Sequence, residues 1–330
     1  MKISHYFEWE DYITGGHVQS VKNQRKIMDQ IGIEYTTEPD LSTDILHLNM
    51  QGPRSLYYAR KARKKDIKVV IGTHQTVEDL EGSFILSDYW SKPLRPYLKY
   101  FYNQADLLIC PSEKNKEDID NYSDVEKRVI SNGFDPDKLE GFEDLREEYM
   151  ERYDLEPPVV FNVGHVIMRK GLETFIETAR EMPELDFVWF GFLNPMGEGD
   201  SSILQGRKAK KLVDNSPDNC QFTGYIEDIR GAYAAGDIFF FPTWNENEGI
   251  AMLEAMYCGK PIVTRDIDTY EWMKDGKTGL KAEEDFKPEL EKLKDEKTRE
   301  KLGEAAKHKS KDFSLEKVGE KLHSVYKELS

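Results

Sequence analysis

Three cysteines, Cys110, Cys220 and Cys258, are too few and too scattered for a disulfide framework, and none stands in a CxxC pair or at zinc-binding spacing from a histidine. They are expected as small buried hydrophobes of a reducing compartment. No apolar run approaches the roughly 20 residues a membrane-crossing helix needs. Residues 1–7 form a short strand-like run met at once by Glu8, Glu10 and Asp11, which is not the layout of a cleavable signal, so a cytoplasmic protein is expected. Positive charge is also scarce: 46 Lys and Arg against 62 Asp and Glu leave a net charge of −16, without the basic footprint of a nucleic-acid binder. The phosphate-binding patterns GxGxxG and GxxxxGK[ST] are missing, as is the metalloprotease pattern HExxH; the close glycine pair Gly197 and Gly199 is the nearest approach. Asp-x-Asp triplets occur at Asp118/Asp120, Asp135/Asp137 and Asp266/Asp268, where a carboxylate pair could hold Mg²⁺, but among 62 acids such triplets arise by chance and read as solvated surface.

What the chain does have is a regular alternation of short apolar runs with amphipathic helical stretches, the signature of βα units feeding parallel sheets. Strands are expected at 2–7, 33–37, 45–50, 69–73, 107–110 and 128–130, with helices at 18–31, 55–65, 93–104 and 114–122 between them. Pro157 and Pro158 close a charged helical segment at 143–153, and a second series opens, with strands at 159–163, 187–190, 221–223, 238–241 and 261–264. The length suits two domains of about 150 residues. Two such domains facing each other would leave a cleft, and ligands of open α/β sheets bind beyond the carboxyl ends of the strands.

The segment richest in chemistry is 239–259, FFFPTWNENEGIAMLEAMYCG, where a strand runs into a proline-containing loop and a helix starts near Gly249. Glycine there permits close backbone approach, and the free N–H groups of the following helix, at the positive end of its dipole, suit a diphosphate. Glu254, about one turn into that helix, is placed to accept hydrogen bonds from ribose hydroxyls, and Glu246 on the loop to reach a sugar. Two glutamates at this spacing would by themselves be a loop acid and a helix-surface acid.

The whole segment resembles the E-x7-E motif of glycosyltransferase family 4, through Pro242, Glu246, Gly249, Glu254, Ala255, Met256, Gly259 and Pro261. Further matches follow in family order: Gly15-Gly16, Thr73-His74, Ala105-Asp106, Asn132-Gly133-Phe134-Asp135, Gly164 with Lys170-Gly171, Phe222-x-Gly224 and Asp275-Gly276-x-x-Gly279. The resemblance implies an α/β chain of GT-B fold, with two Rossmann-like doubly wound domains. Residues 1–153 would bind the acceptor, 154–313 the nucleotide sugar, and a C-terminal helix at about 314–330 would pack back on the first domain. It further implies a retaining, metal-independent hexosyltransferase without a cofactor, acting from a nucleoside diphosphate sugar on a glycan, lipid or small-molecule acceptor. His74, Glu246 and Lys170 are the implied catalytic residues. Gly15, Gly16, His165, Arg169, Lys170, Tyr225, Ile226, Glu246, Gly249, Ile250, Ala251 and Glu254 are the implied donor-binding set. Lys170 would neutralise the departing diphosphate.

Two departures stand out. His165 occupies a place where the family generally has a second, arginine phosphate ligand, for which Arg169 is the candidate substitute. The stretch 266–271, DIDTYE, replaces a Gly-Gly pair that many relatives carry before the glutamate. A GT-B epimerase or phosphorylase, or a non-catalytic nucleotide-sugar-binding protein, would share this framework; Glu246, Glu254, His74 and Lys170 together favour transfer.

Charge is uneven. Residues 51–105 carry ten Lys and Arg against five acids, interleaved with Tyr89, Trp90, Tyr97, Tyr100, Phe101 and Tyr102. The mixture suits an anionic membrane surface touched peripherally through 54–102 on the inner face. The competing reading is that Leu94, Leu98 and Phe101 simply pack a helix on its sheet.

Overall fold

The computed structural model describes residues 1–77, 93–193 and 204–330; Tyr89, Trp90, Lys92, Gly197 and Gly199 lie outside the described residues. Two compact units emerge. The first holds the described residues up to Phe134 together with Phe313–Ser330, and the second is Asp135–Asp312.

The first unit is built on β1 (Lys2–Tyr6), β2 (Glu34–Thr36), β3 (Ile45–Leu48), β4 (Lys68–Gly72), β5 (Leu107–Cys110) and β6 (Lys127–Val129). All pairs are parallel, in the order β2-β1-β3-β4-β5-β6. Every residue of β3 and β5 is buried, as a parallel sheet covered on both faces requires. Helices α1 (Gly16–Gln30), α2 (Pro53–Arg63), α3 (Leu94–Tyr102) and α4 (Glu113–Asp120) make the crossovers. One face buries Leu46, Leu48, Val69, Ile71, Leu98, Phe101 and Tyr102 together.

The second unit opens with α5 (Arg146–Tyr153) and carries β7 (Val160–Val163), β8 (Phe187–Phe190), β9 (Cys220–Gly224), β10 (Ile238–Phe241), β11 (Ile262–Arg265) and β12 (Leu280–Ala282). Its sheet is again all parallel, in the order β12-β11-β10-β7-β8-β9. Its helices are α6 (Leu172–Glu181), α7 (Leu204–Asp214), α8 (Arg230–Ala235), α9 (Ile250–Tyr257), α10 (Lys287–Lys292) and α11 (Glu296–Ser310). The core is aromatic: Phe175 lies edge-on to Phe187 and Trp189 and stacks on Phe240 at 5.6 Å. The three cysteines are free and buried, and burial pushes each thiol up, Cys110 to about 11 and Cys220 and Cys258 to about 12.

Two findings refine the sequence boundaries. The last helix, α12 (Leu315–Leu329), belongs to the first unit, where Leu315, Val318, Leu322, Val325 and Tyr326 are buried with Ile3, Ile27, Ile45 and Val70. The boundary read at 153/154 falls later than the structural one at 134/135, because the segment beginning at Asp135 packs into the second unit. Tyr149 is the reason: its hydroxyl donates to the Asp228 carbonyl, and its ring fills the space that a Cβ on Gly231 would need.

In each sheet the strand order reverses once, between β1 and β3 in the first and between β7 and β10 in the second. At such a point neighbouring loops diverge to opposite faces and leave a crevice at the carboxyl ends of the strands.

Candidate active site

The loops after β7 and β10 flank the reversal point of the second sheet. After β7 the chain passes Gly164 and His165 and makes a short 3-10 turn, Met168–Lys170, that ends at Gly171. Gly171 has φ 82°, and a Cβ there would come within 2.2 Å of the Pro242 carbonyl oxygen, so glycine is what lets the two loops meet. Hydrogen bonds lock them: the Trp244 N–H donates to the Arg169 carbonyl at 2.9 Å, and the Arg169 side-chain Nη1 donates to the Asn245 carbonyl at 2.6 Å. Between the loops the Lys170 ammonium meets Glu246 Oε2 at 2.5 Å, with side-chain exposures of 17% and 13%. Burial pushes the Glu246 carboxyl up, but Lys170 and Arg169 outweigh it and hold the group below the usual carboxylate range. His165 is held below its ordinary value by burial and then by Lys170 and Arg169, which makes it a neutral ring at pH 7 rather than a replacement cation.

The β10 loop ends at Gly249, whose φ of 85° turns the chain into α9. The first N–H groups of a helix have no partner within it and carry the positive end of its dipole, so this start is suited to an oxyanion. One turn in, Glu254 is partly buried and accepts the Tyr233 hydroxyl at 2.6 Å. Burial raises its pKa above the ordinary carboxylate value in spite of that hydrogen bond. The site therefore combines a largely buried cation, a carboxylate held ionised beside it and a helix start, a combination that can hold a diphosphate and stabilise charge gathering on it.

Comparisons with known proteins identify the family and the fold. A model described as glycosyl transferases group 1 matches residues 157–293, and one described as glycosyltransferase family 4 matches residues 37–138. A processive diacylglycerol alpha-glucosyltransferase of Acholeplasma laidlawii is 33% identical over 294 residues, 87% of this chain and 85% of that protein. The chain belongs to glycosyltransferase family 4. An alpha-galactosylglucosyldiacylglycerol synthase of Streptococcus pneumoniae is also similar to this glycosyltransferase, 30% identical over 230 residues, 67% of this chain and 60% of that protein. Among solved structures, Anabaena HepE in complex with UDP-glucose aligns with a TM-score of 0.78 at 16% identity, covering 99% of this chain and 100% of its own. WaaG aligns at 0.69 and 18% identity, covering 98% and 99%. These likenesses establish the GT-B fold.

The glycosyltransferase thus gathers His165, Arg169, Lys170, Glu246, Gly249, Ile250, Ala251 and Glu254 around one reversal point. Tyr225 and Ile226 follow β9, farther along the same edge, and the Tyr225 ring, 65% exposed, stacks at 4.9 Å on Phe192, which the sequence reading did not single out. Arg169 is committed by Nη1 to the Asn245 carbonyl. Gly15, Gly16 and His74 belong to the first unit and its own reversal point. Gly15 (φ 84°) precedes α1, and His74 follows β4 with its ring 4.2 Å from that of His17, which is held by the Asn49 carbonyl at 2.6 Å. Burial first, then His17 and His5, keep His74 well below its ordinary pKa. His17 was legible as the residue after the glycine pair but was not chosen.

The aspartate triplets are used structurally: Asp118 pairs with Lys114, Asp120 with Lys127 and Asp266 with Lys281, while Asp135 caps the turn at Pro136. Among the described residues no helix is long and apolar enough to cross a membrane. The aromatic part of the surface reading needs correction, since Phe101 and Tyr102 are fully buried and the Tyr97 hydroxyl donates to the Gln51 carbonyl. Tyr100 stays exposed, and so do Arg54, Tyr57, Arg60, Lys61 and Arg63 of α2 with Lys64 and Lys65 just after it.

Proposed function

We propose that this glycosyltransferase moves a hexose, with retention and without a metal ion, from a nucleoside diphosphate sugar to the hydroxyl of a diacylglycerol-type lipid at the cytoplasmic face of an anionic membrane. The observation that carries the donor half is the Lys170–Glu246 pair beside the start of α9. The bond from the anomeric carbon to the diphosphate breaks, the acceptor oxygen bonds to that carbon from the same face, and the acceptor proton passes to the departing phosphate oxygen. Lys170 and the helix start meet the charge that develops on that oxygen. Of the three donor protons of its ammonium, one is engaged by Glu246, which leaves two for the diphosphate. Glu246, kept ionised, faces the sugar, and Glu254 with Tyr233 faces the ribose.

The lipid acceptor is supported by the Acholeplasma relative, named as a diacylglycerol glucosyltransferase, and the Streptococcus relative, named for a galactosylglucosyldiacylglycerol product. Surface binding is supported by the exposed basic residues of α2, among which the Lys61 ammonium lies 4.4 Å from the exposed Tyr57 ring. Each basic side chain near an anionic surface contributes about 1 kcal/mol, so the contact should be reversible and salt-sensitive. The test supplies radiolabelled UDP-glucose and diacylglycerol in anionic or neutral vesicles, and follows solvent-extractable label and sedimentation together. Salt-sensitive cosedimentation with anionic vesicles and labelled glycolipid are expected. Label transferred only to water-soluble acceptors, with equal recovery in the supernatant for both lipids, would overturn the proposal.

A further inference from the structure

Tyr270 ends the short 3-10 turn Asp268–Tyr270 after β11, in the stretch that departs from the family's Gly-Gly pattern. The side chain is wholly buried, yet its hydroxyl has no hydrogen-bond partner among the described residues. It points at the site: the oxygen lies 2.9 Å from where a Cβ on Gly249 would stand, and Glu246 Cγ is 3.5 Å from the same point. The turn is tied to the same loop, since the Thr269 hydroxyl donates to the Glu246 carbonyl at 2.7 Å. Burial, and then the nearby Glu246 and Glu248 carboxylates, keep the phenol protonated. A buried hydroxyl left unpaired costs the fold a factor on the order of ten in its equilibrium constant, a cost that phenylalanine would avoid.

We propose that the Tyr270 hydroxyl is a specificity determinant for the transferred sugar, hydrogen-bonding a ring hydroxyl of the hexose beside Glu246 at the start of α9. It is neutral and both donates and accepts, which fits a sugar hydroxyl, and it sits on the Glu246 side of Gly249. The proposal rests on the reading of this crevice as the donor site.

The test is Tyr270→Phe, with thermal shift and calorimetry against UDP-glucose and against UDP. The ligand-free variant should melt at or above the wild-type temperature, because the deleted group is unpaired. UDP affinity should be unchanged, and UDP-glucose affinity should fall on the order of tenfold, the worth of one hydrogen bond plus the sugar group left unpaired. Unchanged UDP-glucose binding, or an equal loss for UDP, overturns the assignment while leaving the donor reading intact. A wild-type protein that binds neither probe overturns the donor reading and this assignment with it. A clear fall in the ligand-free melting temperature shows that the hydroxyl serves the fold, which also overturns it.

Discussion

Replacing Lys170 by methionine keeps the length of the stem and removes the charge, which turns the Lys170–Glu246 pair into a single largely buried carboxylate. Deleting one partner of a buried pair costs about 3–5 kcal/mol, and because the two side chains keep 17% and 13% exposure, the lower end is expected. For a unit of this size about 3 kcal/mol corresponds to a fall of roughly 6–12 °C in Tm. The sign with pH is distinctive. In the wild type the Glu246 pKa is depressed from 4.5, so its contribution is present above that value and is lost as pH falls through the folded pKa. In Lys170→Met, burial is opposed only by Arg169 and the Asn247 N–H and drives the pKa upward, so the variant suffers most at neutral pH and recovers as Glu246 takes up a proton. The gap between the two melting curves should therefore be widest near pH 7 and close towards pH 4. Adding Glu246→Gln to the variant should restore much of the neutral-pH loss. Turnover in the single variant should fall more than donor affinity, since the charge Lys170 meets grows towards the transition state. A gap that is independent of pH, a failed rescue by Glu246→Gln, or wild-type turnover with only a raised donor KM would refute this account.

The two glutamates should separate by ligand: Glu254→Ala weakens both UDP and UDP-glucose in calorimetry, whereas Glu246→Ala leaves UDP nearly unchanged, and equal UDP losses would contradict the assignment. Transfer should survive excess EDTA; abolition with recovery on adding Mg²⁺ or Mn²⁺ would show that the diphosphate needs a metal after all.

Much of the fold was legible because fully buried parallel strands such as Phe187–Phe190 and Ile238–Phe241 stand out as short apolar runs between turn signals. The strand Leu280–Ala282 was not, since three residues with only Leu280 buried carry almost no pattern. The contact boundary at 134/135 has no local marker in the sequence, because Pro157-Pro158 is the strong punctuation nearby, while the packing of Tyr149 against Gly231 is distant in sequence. The same division holds in the site. Glu246, Gly249 and Glu254 share one loop and helix, so their spacing is visible in one dimension. Tyr233 on Glu254, Tyr270 near Gly249 and Phe192 on Tyr225 become neighbours only once strands are laid side by side.

The return of α12 to the first unit sets an order of assembly during synthesis. The strands β1 to β6 leave the ribosome first, but the sheet face bearing Ile3, Ile45 and Val70 keeps part of its cover missing until Leu315–Leu329 has been made. The second unit, whose strands all lie between Asp135 and Asp312, has them all before that happens. The half of the enzyme translated first is thus the half completed last, and a nascent chain stalled before residue 313 would carry a finished second unit and an open apolar sheet in the first, the kind of surface that holding chaperones recognise.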